Sequence, residues 1–245
     1  MSLANIRIVL VRTFHGGNIG SAARSVKTMA LSPLHLVAPK DYPSDEATKM
    51  AAGAEDWLNQ STQHEDIATA IHGCGLVIAT TARPRGYDLP VVHPKQAAQK
   101  LIEHSAIGPV ALLFGPERMG LHNEDIQYAH YRLTIPANPE YSSLNLASAV
   151  QIMSYEIYQA QLEQPSAKDQ VDNAQALPPS EQFEQLIQQL EWLLARVKFL
   201  RAHQGETLLR IRHFIRRSQP TLAEMSIMLG ALNAIKRTIA NSDDS

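Results

Sequence analysis

Three segments of the chain combine glycines, small polar residues and charged side chains in ways that suit ligand chemistry. The first reads Arg12-Thr-Phe-His-Gly-Gly-Asn-Ile-Gly-Ser-Ala-Ala-Arg24. It follows an apolar run and opens a helix-like stretch. Glycines at 16, 17 and 20 would let backbone approach a ligand closely. A helix N-terminus offers unpaired N–H groups to an anion. Asn18 adds a neutral hydrogen-bonding group and Arg24 a permanent cation. The spacing matches neither G-x-G-x-x-G nor a phosphate loop ending in Gly-Lys-Ser/Thr. A plain glycine-rich turn between strand and helix is the competing reading.

The second segment, Val110-Ala-Leu-Leu-Phe-Gly-Pro-Glu-Arg-Met-Gly-Leu121, runs an apolar strand into Gly115, Pro116, Glu117 and Gly120. Ligands of open α/β sheets sit at the carboxyl ends of strands, so Glu117 is placed to accept hydrogen bonds there. A surface turn with a solvated Glu-Arg pair would read the same. The third segment spans Leu133 to Val150, with a strand ending at Ile135, then two prolines, Ser142, Ser143, Leu144 and Asn145 before an apolar helix. One of the two serines is expected to be the N-cap, worth about 1 kcal/mol. That leaves Asn145 unexplained in the first turn.

The elements that would position these segments follow from hydrophobic periodicity. Apolar runs at Ile6–Val11, Leu34–Ala38, Leu76–Thr80, Val110–Phe114 and Arg132–Ile135 fit strands buried on both faces. Helix-like stretches alternate with them at 21–29, 45–52, 65–72, 95–104, 123–129 and 144–161. This alternation predicts an α/β domain with a mainly parallel sheet of five or six strands and helices on both faces. Residues 164–180, QPSAKDQVDNAQALPPS, carry three prolines and no periodicity, and read as a linker. From 181 to 245 the pattern is helical, with helices expected over 181–194, over 204–217 and after Pro220 in the first turn. This extension is too small to be a confident independent domain and is expected to dock on something.

Composition narrows the classes. The 245 residues are 44% hydrophobic and 19% charged, which excludes wholesale disorder, collagen and a rod. No apolar run is long enough to span a bilayer, so no membrane partner is expected. The N-terminus lacks the pattern of a secretory signal. Cys74 is the single cysteine, so no internal disulfide can form, and it is read as a small core residue. Cytoplasmic residence is expected. The net charge of -2 gives no global sign of a nucleic-acid partner. Locally, residues 196–217 carry seven Lys/Arg against one acid, Glu206. Arg210, Arg212, Arg216 and Arg217 form a dense group there, expected to contact RNA backbone, with a solvated helix face as the alternative. Arg83 and Arg85, just past a strand end, are expected phosphate contacts, and His15 a weaker RNA contact. The histidines, His35 and His93 among them, lack ligand spacing, so no metal site is expected.

Taken together and in order, the three segments resemble the SPOUT class of S-adenosyl-L-methionine-dependent RNA methyltransferases, and most closely the 2′-O-ribose TrmH/TrmJ group. The matching residues are Asn18-Ile-Gly20 with Arg24, Phe114-Gly-Pro-Glu117-Arg-Met-Gly120-Leu, and Ser142-Ser-Leu-Asn145-Leu-Ala147-Ser. The string Ala137-Asn-Pro-Glu-Tyr-Ser-Ser-Leu-Asn-Leu146 and the helical extension are similar to the TrmJ proteins. The resemblance implies a methyltransferase domain over 1–163 whose C-terminal part is threaded into a trefoil knot, and a tRNA-binding extension. It implies a homodimer that methylates cytidine or uridine at nucleotide 32 of the tRNA anticodon loop.

The implied methyl-donor site comprises Thr80, Thr81 and Ala82; Gly115, Pro116, Glu117 and Gly120; Ile135; and Ser142, Ser143 and Leu144. Arg24, Asn18, Ser143 and Asn145 are the implied catalytic residues. Arg24 would grip the phosphate beside the target ribose, since a guanidinium is no base at neutral pH. The phosphate, or a transiently neutral guanidinium, would take the proton. Two other readings compete: a catalytically silent RNA-binding protein of the same fold, and a nucleotide-binding α/β enzyme that uses Gly16–Gly20 for phosphate.

Overall fold

Seven parallel strands organise the first part of the chain: β1 (Ile6–Val11), β2 (His35–Val37), β3 (Thr62–His64), β4 (Leu76–Thr80), β5 (Val91–Val92), β6 (Val110–Phe114) and β7 (Tyr131–Leu133). Their order in the sheet is β3-β2-β1-β6-β4-β7-β5, and every pairing is parallel. The computed structural model describes residues 3–81, 89–163, 177–200 and 205–243. The expected five or six strands become seven because β3 and β5 are short edge strands. An edge strand pairs on one side only and needs no long apolar run.

Alternation along the central strands feeds two cores. Ile6, Ile8 and Leu10 of β1, Leu76 and Ile78 of β4 and Leu112 and Phe114 of β6 point to one face. Val9, Val11, Val77, Ala79, Ala111 and Leu113 point to the other. The first face is covered by α1 (Gly16–Thr28), α2 (Asp45–Ala51), α3 (Glu55–Asn59), α5 (Pro94–Ser105) and α7 (Leu146–Leu162). The opposite face carries two short helices, α4 (Ile67–Ala70) and α6 (Asn123–Ile126). Arg7 is the one charged residue of β1, and its guanidinium donates to the carbonyls of Ala70 and His72 at 2.9 and 2.8 Å. A cation there suits the carbonyl-rich C-terminus of α4.

The helical extension comprises α8 (Ser180–Arg196), α9 (Gly205–Ser218) and α10 (Leu222–Asp243). Phe183, Leu186, Ile187, Ile215 and Met225 form its core. It docks on the thinly covered face of its own sheet. The Ser180 hydroxyl donates to Ile71 O at 2.9 Å, Gly73 N donates to Glu181 at 3.1 Å, and Phe183 meets the His130 ring edge-on at 5.3 Å. Leu177 lies against Gly75, so the last residues of the expected 164–180 linker already touch the sheet domain. Residues 164–176 lie outside the described residues. Thr221 and Glu224, rather than Pro220, cap α10 reciprocally.

The docked extension corrects one expectation. Arg216 is 1% exposed, its guanidinium stacks 4.9 Å from the Phe183 ring, and it donates to Glu184 at 2.7 Å. Arg212 donates twice to the same carboxylate, at 2.9 and 2.7 Å. In this arrangement neither guanidinium is exposed, with side-chain exposure of 14% for Arg212 and 1% for Arg216. Both neutralise a carboxylate between helices. Arg210 and Arg217 are exposed, and Arg210 pairs with Glu206 along α9.

Candidate active site

Because every strand runs the same way, the carboxyl ends of β1, β4, β6 and β7 share one rim, and the chain's three chemistry-bearing turns meet there. The turns after β4, β6 and β7 enclose a cavity of about 250 Å3, and the turn after β1 lies outside its lining. Thr80 and Thr81 border it after β4, and Phe114 to Gly120 after β6. Leu133 and Ile135 close one side, and Ser142, Ser143, Leu144, Leu146 and Ala149 line the approach to α7. Hydroxyls, one carboxylate (Glu117) and one guanidinium (Arg118) thus share the lining with apolar Phe114, Leu133 and Leu146, a composition that suits a ligand part apolar and part charged.

Glu117 fastens the turns to one another. Its carboxylate accepts from Phe14 N at 2.9 Å, His15 N at 3.2 Å and Asn18 Nδ2 at 2.7 Å. Asn18 Oδ1 in turn accepts from Asn145 Nδ2 at 3.0 Å, and Asn145 Oδ1 accepts from Ser148 N at 3.2 Å. One continuous chain of hydrogen bonds therefore links the end of β6, the start of α1 and the start of α7. Burial pushes the Glu117 carboxyl up, but the bonds from Asn18 and the Phe14 and His15 backbone outweigh it, and its pKa lies below the ordinary value. The group is an anion at neutral pH.

The turn after β1 has a further anchor. Arg12 adopts a left-handed conformation, φ 50°, which costs a residue with a Cβ roughly 1–2 kcal/mol. Its N–H donates to Val37 O at 2.8 Å, and its guanidinium pairs with Asp125, whose carboxylate also accepts from His122 N at 2.6 Å. The strained turn is thus held to the N-terminus of α6.

Of the residues expected around the donor, Thr80, Thr81, Gly115, Pro116, Glu117, Gly120, Ile135, Ser142, Ser143 and Leu144 all border the cavity. Ala82, Arg83 and Arg85 lie outside the described residues. Asn18 and Asn145 sit behind Glu117, where they hold the wall. Arg24 is exposed on α1, away from the cavity lining of its own chain.

Two local expectations change. The N-cap of α7 is Asn145, not Ser142 or Ser143, which leaves both serines on the cavity. The glycines of the first segment admit helix α2, not a ligand. A Cβ on Gly20 would stand 2.0 Å from Ala47 O, one on Gly16 2.1 Å from Ser44 Oγ, and one on Gly17 2.8 Å from Glu46 Oε1. The N–H groups of that turn are taken by Glu117 and, at Gly16, by Asp41 at 3.1 Å. The anion at this turn is the protein's own.

Sequence reasoning did not single out Arg118 and Met119, which also border the cavity, or exposed Phe14, whose ring lies 5.7 Å from the Arg118 guanidinium. It also missed Asp125, whose only signal was an acidic residue in a helix-start pattern. Cys74 is buried, and burial pushes its thiol up to about 11, as suits a core residue. Among the described residues no cluster of His, Cys, Asp and Glu is placed to hold a metal ion, and no helix is long and apolar enough to cross a membrane.

A family model described as the SpoU rRNA Methylase family matches residues 5–155. This chain belongs to that SpoU family. A model of the TrmJ tRNA methyltransferase C-terminal domain matches residues 181–244. The tRNA (cytidine/uridine-2′-O-)-methyltransferase TrmJ of Sodalis glossinidius is 44% identical over 96% of this chain and 93% of its own length. A crystal structure of TrmJ from Z. mobilis superposes with a TM-score of 0.83 at 36% identity, covering 94% of this chain and 98% of that one. Within the SpoU family the chain is therefore a methyltransferase of the TrmJ group. More distant SpoU-like structures include one described by 2-OH methylation of C/U34 on tRNA, at 25% identity and TM-score 0.53, covering 65% of this chain and 97% of that one. Another is an AdoMet-bound rRNA methyltransferase from Sinorhizobium meliloti, at 26% identity and TM-score 0.50, covering 63% of this chain and 56% of that one.

Proposed function

We propose that the chain transfers a methyl group from S-adenosyl-L-methionine to the ribose 2′-oxygen of cytidine or uridine at nucleotide 32 of the tRNA anticodon loop. The observation that carries this reading is one cavity walled by the turns after β4, β6 and β7, whose Glu117 is held from behind by Asn18 and, through it, by Asn145. The mix of hydroxyls, an ionised carboxylate and an apolar floor fits a donor that joins an adenosine to a charged amino-acid arm. When bound, the donor supplies an activated methyl on a positively charged sulfur, with a neutral thioether as leaving group.

The chain's own residues then position and protect. Phe114, Leu133 and Leu146 exclude water from the donor's apolar part. Ser142 and Ser143, released from capping duty, offer hydroxyls to its polar groups. The Glu117 anion lies on the same wall and favours a positive ligand. Acceleration comes mostly from alignment of the 2′-oxygen behind the methyl. Arg24 grips the neighbouring phosphate and steadies the developing oxyanion, and the 2′-OH proton passes either to that phosphate or to a transiently neutral Arg24 guanidinium.

Arg24 serves from the partner subunit of a homodimer in this reading. Its exposure, and its absence from the cavity lining of its own chain, support that arrangement. The trefoil knot, a domain division at 1–163 and 181–245, a tRNA-binding role for the extension and a cytoplasmic location belong to the same proposal.

Calorimetric titration with the donor, methyl transfer to bulk tRNA and mass-spectrometric mapping of the product test it. Saturable donor binding and a methylated pyrimidine at nucleotide 32 are expected. Methylation at 34, the position treated in the C/U34 structure, would correct the site. Dinucleotide binding in place of the donor, or tRNA binding without methyl transfer, would sink the enzyme reading. Arg24→Ala is expected to lower turnover at least 100-fold at saturating donor and tRNA, and unchanged turnover would remove Arg24 from the mechanism.

A further inference from the structure

Far from the catalytic cavity, α8 and α10 enclose a cleft of about 270 Å3. Gln185, Gln188, Gln189 and Trp192 from α8 and Lys236 from α10 form its walls. The four α8 residues fall at i, i+3, i+4 and i+7, which makes them one stripe along the helix. The neighbouring stripe of Phe183, Leu186 and Ile187 is buried in the core of the extension. α8 therefore turns its apolar side inward and shows the cleft three carboxamides and an indole. Trp192 is 38% exposed, and the Lys236 ammonium stands 5.3 Å from its ring centroid. Gln189 Oε1 is shielded from solvent and accepts no hydrogen bond among the described residues. A buried acceptor is ordinarily paired, so this one offers a ligand a ready partner.

We propose that this cleft takes one unstacked nucleobase of the RNA substrate. The base lies on the Trp192 indole, a glutamine amide row pairs with its edge, and Lys236 meets the adjoining phosphate. An aromatic face stacks any base, and a carboxamide carries both the donor and the acceptor that base edges require. Single-stranded loops present bases in this splayed form. Lys236 brings a cation to the cleft, where a phosphate beside the base would lie. Exposed Arg196 lies one helical turn after Trp192 at the end of α8, exposed Lys198 follows just past that end, exposed Glu191 precedes Trp192, and exposed Arg237 adjoins Lys236. Arg212 and Arg216 are taken by Glu184, which leaves the exposed cations of the extension, Lys236 among them, to meet a phosphate. The inference rests on the tRNA reading for the identity of its ligand.

The chain has two tryptophans, so Trp57→Phe leaves Trp192 as the sole indole reporter in the full-length protein. Titration of that variant with bulk unmodified tRNA is expected to quench its emission saturably, at the midpoint found by filter binding. Trp192→Ala is expected to raise the tRNA Kd about 10-fold, Trp192→Phe less than about 3-fold, and Gln189→Leu about 5-fold. Donor affinity and kcat at saturating tRNA stay unchanged, while KM for tRNA rises with Kd. Equal tRNA affinity for Trp192→Ala and the unaltered chain, or emission insensitive to tRNA, overturns the proposal. If Trp192→Ala misfolds by circular dichroism, the emission titration and Gln189→Leu decide alone. Methyl transfer by the unaltered chain reports separately on the catalytic reading, since it can succeed with an idle cleft, and the cleft can bind tRNA when transfer fails.

Discussion

Asn145 Nδ2 donates to Asn18 Oδ1 at 3.0 Å, which joins residues 127 positions apart. The polarity of this contact is forced. Asn18 must donate to the Glu117 carboxylate, which leaves its oxygen to face Asn145. Asn145 then donates with its nitrogen and caps α7 with its oxygen. Asn145→Asp separates the two duties. The carboxylate still caps the helix and suits the dipole at its N-terminus. It cannot donate to Asn18, whose single NH2 group cannot serve carboxylates on both sides. Thermal stability should therefore hold, while methyl transfer to tRNA falls on the order of 10-fold. A Tm loss equal to that of Asn145→Ala would show that the cap is not what Asn145 supplies.

Glu117 is the hub of that chain and accepts three bonds on two oxygens. Glu117→Gln keeps the shape but turns an NH2 group toward at least one N–H donor of the Phe14–His15 turn. The unmatched donor costs about 1–3 kcal/mol and loosens the cavity wall. Donor affinity measured by calorimetry should drop about 10-fold or more, and more again for Glu117→Ala. Unchanged affinity in both would mean that the wall does not depend on this carboxylate.

Much of this arrangement was legible beforehand, and the failures have local causes. β1, β4 and β6 are central strands buried on both faces, and their apolar runs mark their ends without ambiguity. Ten residues that the family resemblance implied around the donor do border one cavity, because parallel strands bring the turns at their carboxyl ends to one rim. Pair-specific tertiary facts were illegible. Nothing in the sequence says that Glu184 would claim Arg212 and Arg216, since the partner lies 28 and 32 positions away. His35 likewise gave no sign of a partner, yet its Nδ1 lies 2.8 Å from His64 Nε2, because β3 is a polar edge strand with no apolar signature. α1 starts at Gly16, five residues before the stretch 21–29 that periodicity marks, because three glycines weaken a helix by propensity and close packing on α2 overrides that.

Gly115 tests the second turn sterically. A Cβ there would stand 2.1 Å from Leu121 N and 2.3 Å from Gly120 C, both backbone atoms that cannot swing aside. Gly115→Ala should push the 115–121 turn out of the cavity, lower stability by several kcal/mol and abolish donor binding. Gly108 has open space around its added Cβ, so Gly108→Ala is the matched control and should melt near the unaltered chain. Equal melting of the two variants would refute the close approach at Gly115.

Arg216 distinguishes a structural cation from an RNA contact. Removing one partner of a buried ion pair costs about 3–5 kcal/mol, and Arg212 remains on Glu184, so Arg216→Ala should cost near the lower figure. Arg216→Met keeps volume over the Phe183 ring and should cost less than the alanine variant. Neither should change how steeply tRNA binding weakens with salt, whereas a lost phosphate contact reduces that slope by about one. A reduced slope for Arg216→Met in a folded protein would return Arg216 to the RNA surface.

Acid should destabilise the chain in two stages. Burial lowers the His35 pKa from 6.5 to about 4, with the Arg7 and His64 charges adding to it, and it also lowers His64. Burial, with Arg216 nearby, holds His130 well below 6.5 as well. A histidine with a depressed folded pKa is kept neutral by the fold, so the unfolded chain binds its proton first as pH falls. The stability these groups contribute is complete above about pH 6.5 and drains away as pH falls toward 4. Glu117, also depressed, adds its loss only below about 4.5. Melting temperature should accordingly be level from pH 8 to 7, fall between 6.5 and 4.5, and fall more steeply below that. His35→Gln removes one of these groups and should shrink the upper stage without abolishing it, because His64 and His130 remain, and should leave the lower stage untouched. A Tm that stays level down to pH 5 in the unaltered chain would contradict the neutral, buried state assigned to these histidines.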